Sequence, residues 1–385
     1  EVLSYACQYN KNHLYKERVY QTIDWLLNNL YNKNGGFFSS IDADSENIEG
    51  KYYVWNTSEL KNILGNEYTL FQEIYNVSEK GNWEGLNILN RLDEINLISE
   101  ETEVKIKKIR EKLLQVRKKR IKPQIDDKIL VDWNGITINS LAIASMVFKE
   151  KSWLEVAEKT YDLVTKNMSD SFHLKHILSE DATYNAFASD YGHMCNAAIT
   201  LYEITNEIKY LKNAKEWIKI LNDEFIHKNG GYYLSSKNND LIIRPYTEND
   251  EAIPNYNSTI VRVMIKLYYI TKDNFYLEKS RKIVQSNIEN ITKNPFYHAS
   301  FLNNFNLLEN NITLTFNIIN AKRELLNNSW ANYSFNTIRI FEENVPAINI
   351  ENAKTYAIVC NNNCSLPIDN DTSLENEIKR RILRN

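Results

Sequence analysis

One helical phrase recurs along this chain, and it restricts the possible folds more than any other feature. Leu201-Tyr202-Glu203-Ile204-Thr205 leads to Tyr210-Leu211, and Leu267-Tyr268-Tyr269-Ile270-Thr271 leads to Tyr276-Leu277 with the same internal spacing. Looser copies run from Leu141 to Trp153-Leu154 and from Leu3 to Tyr15. Two copies close on the same string, Lys33-Asn34-Gly35-Gly36-Phe37-Phe38 and Lys228-Asn229-Gly230-Gly231-Tyr232-Tyr233. A chain patterned in this way stacks helical hairpins, each burying a face on the next.

The phrase also serves as a ruler. Counting back from Trp153, Tyr210 and Tyr276 by one twenty-residue interval reaches Trp133, Asp190 and Tyr256, each at the start of the first helix of its hairpin. First helices that begin at one level, rich in small residues such as Ala142, Ala144, Ala197 and Ala198, describe the inner layer of a closed α/α toroid. Their free N–H groups and positive dipole ends crowd one mouth and favour anions or carboxylates there. The interval measured back from Tyr15 runs off the chain, which starts at Glu1, so the sequence reads as a piece beginning inside its first hairpin.

Two stretches break the repeat. Residues 37–131 form a long insertion, with helices expected near Thr57–Leu64 and Glu103–Lys119. From about Asn310 the period turns from helical to alternating, predicting strands at Ile312–Ile318, Tyr333–Phe341 and Thr355–Cys360 and helices at Ala321–Asn328 and Leu374–Leu383. The expected organisation is a mainly α toroid over residues 1–308 with a small α/β module at 309–385.

Composition removes several function classes. A net charge of −4 over 385 residues supplies no basic field for nucleic acid. No apolar run approaches the ~20 residues of a membrane helix, and no signal peptide is visible. A cytoplasmic location is the expectation. Four cysteines make no disulfide framework. Cys360 and Cys364 are separated by three residues, not the two of a thioredoxin-type pair; buried free thiols are the default reading, with a structural or weak metal role as the alternative.

Three polar-aromatic clusters fall at the expected mouth: Asp126-Asp127-Lys128 with Asp132-Trp133-Asn134-Gly135; Asp190-Tyr191 with His193; and Arg244 with Asp250 through Asn257-Ser258. Acids beside aromatic planes suit sugar recognition, and paired acids suit acid/base work at a glycosidic bond. Asp126, Asp127, Asp190 and Asp250 are the candidate acid/base groups. His193, one turn from Asp190, is the imidazole that an epimerase-like mechanism requires. Trp133, Asn134, Tyr191, Arg244 and Asn257 are candidate substrate contacts. So are Asp42, Asp44, Trp55, Trp83 and Glu84 in the insertion. Asp132, Asp190 and Asn257 also fit simple helix caps, and His173 and His176 read as surface loop residues. No calcium loop, dinucleotide fingerprint, P-loop or nucleophile elbow is present, so neither a metal nor a cofactor is expected.

The string Gly35-Gly36-Phe37-Phe38-Ser39-Ser40-Ile41-Asp42-Ala43-Asp44-Ser45-Glu46 carries a resemblance. With it go Glu49-Gly50-Lys51-Tyr52-Tyr53-Val54-Trp55, Gly81-Asn82-Trp83-Glu84-Gly85, Asp126-Asp127-Lys128 and Trp133-Asn134-Gly135. Together they resemble the YyaL-like family of thioredoxin domain-containing proteins, which includes the spermatogenesis-associated thioredoxin-like proteins. The resemblance implies a thioredoxin-like domain ahead of Glu1 and a toroid similar to six-hairpin glycosidases and N-acylglucosamine 2-epimerases. It supplies no reaction. The expected function is a sugar- or polyol-directed enzyme domain, with a non-catalytic scaffold for the thioredoxin-like part as the alternative.

Overall fold

The computed structural model describes residues 1–178, 185–238, 241–317, 334–342 and 357–382. It divides into two compact units, one of residues Glu1–Phe37 with Lys128–Asn385 and one of Phe38–Asp127.

In chain order the first unit opens with α1 (Val2–Asn10) and α2 (His13–Asn29). The second unit holds β1 (Ser40–Ile41), β2 (Asp44–Ser45), β3 (Ile48–Glu49), α3 (Thr57–Leu64), α4 (Tyr68–Ile74), α5 (Glu100–Arg117) and β4 (Ile125–Asp126). Its core is apolar, with Leu60, Phe71, Ile106 and Ile109 almost fully buried. Strand β1 pairs with β4, and β2 with β3. The first unit then resumes with β5 (Ile129–Leu130), α6 (Val131–Phe148), α7 (Lys151–Lys166), β6 (Ile177–Leu178), α8 (Ala188–Thr205) and α9 (Ile208–Ile220). It continues through α10 (Tyr256–Thr271), α11 (Asn274–Lys293) and α12 (Ala299–Glu309) to β7 (Ile312–Asn317), β8 (Thr337–Glu342), β9 (Ala357–Cys360) and α13 (Asp371–Ile382).

The fold is mainly α and of the toroid type, and the recurring phrase is its hairpin. Each copy turns on one residue in the left-handed region: Lys11, Lys149, Asn206 and Lys272, at φ 52°, 60°, 59° and 61°. In every case the N–H of that residue closes the helix by donating to a carbonyl four residues back. The next residue opens the following helix, and the aromatic of the phrase (Tyr15, Trp153, Tyr210 or Tyr276) is the third residue of that helix. Two of these aromatics meet the preceding outer helix. Trp153 packs edge-on against Tyr20 of α2 at 4.9 Å, and Tyr210 against Tyr161 of α7 at 4.9 Å.

Inner helices α6, α8 and α10 are buried almost all round, as an inner layer requires. Small residues let them approach. A Cβ on Gly135 would sit 2.8 Å from the His193 backbone of α8, and one on Gly192 would sit 3.1 Å from Ile260 of α10. The equivalent residue of α10 is Ser258, whose carbonyl and hydroxyl both accept from Asn304 of α12. The interior beside α10 is polar: Arg262 pairs with Glu1 at the start of α1 at 3.2 Å, and Lys266 pairs with Glu203 of α8 at 2.6 Å.

The C-terminal module is a three-stranded sheet in the order β8-β7-β9, with β7 parallel to β8 and antiparallel to β9. Helix α13 covers it through Leu374 and Ile378. Glu203 of α8 fastens the module by accepting from the Arg339 backbone N–H at 3.1 Å. Cys360 and Cys364 form a disulfide, correcting the expectation of free thiols. The bridge closes a loop at the end of β9, where Cys364 is exposed. The helix expected at Ala321–Asn328 lies outside the described residues.

Candidate active site

The return segments after the outer helices are fastened by one repeated device. The side-chain amide of Asn134 in α6 brackets the Phe37 backbone, accepting its N–H at 2.7 Å and donating to its carbonyl at 3.0 Å. Asn257 in α10 does the same to Tyr232, at 2.8 and 3.1 Å. The equivalent residue of α8 is Tyr191, whose hydroxyl accepts from the Leu174 N–H at 3.2 Å. Asn134, Asn257 and Tyr191, expected as substrate contacts, are thus engaged with backbone, and all three are buried.

This clamp delivers a histidine. Leu174 is followed by β6, which pairs antiparallel with β5 just ahead of α6. The His176 carbonyl accepts the first N–H of α6, that of Val131, at 2.9 Å. The His176 side chain thereby comes to the N-termini of α6 and α8, where its Nδ1 lies 3.1 and 3.0 Å from the two carboxylate oxygens of Asp190. Asp190 is fully buried and receives two further bonds, from the N–H of Asp132 at 2.9 Å and of Phe187 at 2.7 Å. Asp132 accepts from the Trp133 N–H at 2.8 Å and the Ser189 hydroxyl at 3.2 Å.

The electrostatics follow from this packing. Burial drives the Asp190 carboxyl up to about 6; its bond to His176 opposes the rise and the charge of Asp132 adds to it. Burial pulls His176 down, yet the Asp190 bond and the charges of Asp190 and Asp132 win and hold the imidazolium above its ordinary value. His176 is 19% exposed, and among the described residues its Nε2 makes no hydrogen bond, which leaves that nitrogen able to exchange a proton with a ligand.

A second imidazole lies one turn along α8. His193 is buried, its Nε2 has no partner, and burial pushes it down to about 4 against the pull of Asp132 and Glu1. The expected Asp190–His193 pairing is corrected: Asp190 orients His176 from another segment, and His193 is a neutral interior imidazole. His176 is not a surface loop residue. His173 is nearer that expectation, with its Nε2 in a hydrogen bond to Glu224 at 2.7 Å. Sequence reasoning missed His176 because fourteen residues and a two-residue ladder separate it from Asp190. Its signal was the alignment of Leu174 with the post-glycine residues Phe37 and Tyr232.

Ligand atoms of Asp132, His176 and Asp190 lie within 4.8 Å of one another, the arrangement of a small cation site. All four carboxylate oxygens of the two aspartates also accept protein donors, so the cluster is a hydrogen-bonded network of two acids and an imidazole.

The other candidates stand as follows. Trp133 is 43% exposed, next to Asp132. Asp250 accepts the N–H groups of Asn255 and Ser300 and the Ser300 hydroxyl, tying the start of α12 to the turn before α10. Arg244 donates to the carbonyls of Ser235 and Glu224 and lies over Tyr233 at 4.2 Å. Asp126, Asp127, Asp42, Asp44, Trp55, Trp83 and Glu84 belong to the second unit. There Asp127 is exposed, Asp42 accepts the Asp44 N–H at 3.0 Å, and Trp55 is buried beneath Arg120 at 4.1 Å. Of the expected caps, Asn255 and not Asn257 caps α10, while Asp132 and Asp190 are the second and third residues of their helices.

No family model matches the chain. It is similar to an uncharacterized protein of Caenorhabditis elegans, 26% identical over 335 residues, covering 74% of this chain and 46% of the relative. It is also similar to spermatogenesis-associated protein 20 of Rattus norvegicus, 25% identical over 321 residues, covering 71% and 41%. The chain thus spans less than half the length of these curated relatives. The second relative bears the name to which the motif resemblance pointed. Among solved structures, a GH76 α-mannanase of Bacteroides thetaiotaomicron is 13% identical with 98% and 99% coverage and a TM-score of 0.42. A D-mannose isomerase is 15% identical with 74% and 72% coverage and a TM-score of 0.39. No helix among the described residues is long and apolar enough to cross a membrane.

Proposed function

We propose that the toroid is an acid/base enzyme acting on a sugar or related polyol, with His176 as the proton-transferring group and Asp190 as its positioning residue. The observation that carries this reading is the bond from His176 Nδ1 to the buried Asp190 carboxylate, with Nε2 left without a hydrogen bond among the described residues. A carboxylate behind an imidazole fixes its tautomer and stabilises the protonated form, which suits removal of a proton from carbon next to a carbonyl. The exposed Trp133 offers a face on which a sugar ring can stack, and Asp132 beside it can accept a hydroxyl. This is the epimerase- or isomerase-like variant. It takes precedence over glycosidase chemistry by Asp126 and Asp127 because no comparable constraint acts on the exposed Asp127.

The test is turnover of a panel of aldoses, ketoses and N-acyl amino sugars by the wild-type chain and by His176→Ala. Loss of roughly 10²–10⁴-fold is expected for the variant. Equal turnover by both proteins contradicts the assignment.

A second reading is favoured by the saturation of Asp190. A carboxylate that satisfies two backbone N–H groups and an imidazole also works as a clasp, in a non-catalytic scaffold for a thioredoxin-like domain elsewhere in the full-length protein. On that reading Asp190→Asn lowers Tm, and no sugar is turned over by either protein.

A further inference from the structure

The second unit carries a cleft of about 650 Å³ whose lining comes entirely from residues between Ser45 and Ile121. That volume lies within the range of small-molecule sites, roughly 300–1,000 Å³. None of the residues of the acid/base centre contributes to it.

Two short hairpins form part of its wall. In one, Glu46 and Asn47 join β2 to β3 at φ 55° and 60°; in the other, Glu84 and Gly85 join Trp83 to Leu86 at φ 50° and 81°. Two-residue turns with both central residues left-handed favour asparagine, aspartate or glycine at the first position. Here both first positions are glutamate, so backbone energy is spent to hold two carboxylates at the cleft. Trp83 is seated against bare backbone: a Cβ on Gly50 would lie 3.0 Å from its ring. Tyr52, Val54, Leu86 and Ile121 continue the apolar wall.

The charges of the cleft select among ligands. Glu46 is paired with Lys51 at 2.9 Å. Arg120 is consumed by the carbonyls of Tyr52 and Val54 and by Glu59 at 2.9 Å. The carboxylates of Glu49 and Glu84 are left without partners among the described residues. Lys119 is the one lining cation without an ion pair among the described residues, and two free carboxylates beside an indole outweigh it, so the cleft does not suit a phosphate or a polyanion. It suits a neutral chain of hydroxyl donors with an apolar ring face.

We propose that this cleft is a saccharide-binding site, with a sugar ring on Trp83 and its hydroxyls donating to Glu49 and Glu84. The proposal does not depend on the acid/base reading of the toroid.

The experiment is saturation-transfer NMR and calorimetry on the full chain with cellotriose, maltotriose and α-1,6-mannotriose as probes. At least one trisaccharide binds the wild type, and Trp83→Ala weakens it tenfold or more. Glu84→Gly puts glycine at the left-handed turn position, so it keeps or raises Tm while it also weakens binding; this variant guards against a folding defect. His176→Ala leaves the Trp83-dependent part of the binding in place. The proposal is overturned if no probe binds, or if binding survives both cleft variants intact. Binding that is lost in His176→Ala and kept in Trp83→Ala would place the sugar in the toroid alone, sinking the cleft and sparing the acid/base reading.

Discussion

His176 and His193 stand within one polar cluster and are opposite in character because of what surrounds them. His176 faces a carboxylate that raises it, whereas His193 is buried without a partner at Nε2 and is lowered. A general base works in its neutral form, so activity should fall as pH drops through the raised value of His176. Asp190→Asn removes the negative charge that holds the imidazolium up, moving this acid limb to lower pH; a kcat/KM profile of both proteins checks it. For His193 the sign reverses. Its folded value, about 4, lies below the ordinary 6.5, so the unfolded chain takes up a proton that the fold refuses. Stability is therefore lost as pH falls from about 6.5 to 4, by up to about 3 kcal/mol. Asp190, raised to about 6, acts in the opposite direction over much of the same range, so the informative quantity is a difference. Urea denaturation of wild type and His193→Gln at several pH values should show a flatter acid slope in the variant. Gly135→Ala is the steric counterpart. Its methyl would collide with the His193 backbone, costing about 1–3 kcal/mol in the same denaturation measurement.

At the scale of elements, the hairpin was legible and the return segment was not. Helical periodicity reports burial along one continuous stretch, so the phrase containing Tyr210 or Tyr276 placed the third residue of each outer helix. It also located Trp133 and Asp190 within the first turn of α6 and α8. The left-handed turns were hidden because lysine occupies three of the four where glycine would announce them. Those lysines are a measurable liability: Lys149→Gly and Lys272→Gly should each raise stability by up to about 1 kcal/mol in denaturant titrations. His176 was illegible for another reason. Its position depends on a two-residue pairing of β6 with β5 and on the Tyr191 clamp, neither of which leaves a periodic trace. Asn134 and Asn257 attracted attention as polar residues at a mouth, and their amides hold chain segments together instead.

At the scale of the whole molecule, the toroid gathers carboxylates and imidazoles from separate segments onto the N-termini of its inner helices, where dipoles and free N–H groups hold the charge. The central claim is that this convergence removes a proton from carbon, and solvent exchange tests it without knowledge of the product. The chain is incubated with each of a panel of reducing sugars in deuterium oxide, and the proton signal next to the carbonyl is followed by NMR. The account predicts loss of that signal for at least one sugar with the wild-type chain, and retention with His176→Ala at equal folded fraction. Exchange that proceeds equally in both proteins, or in neither, would contradict it.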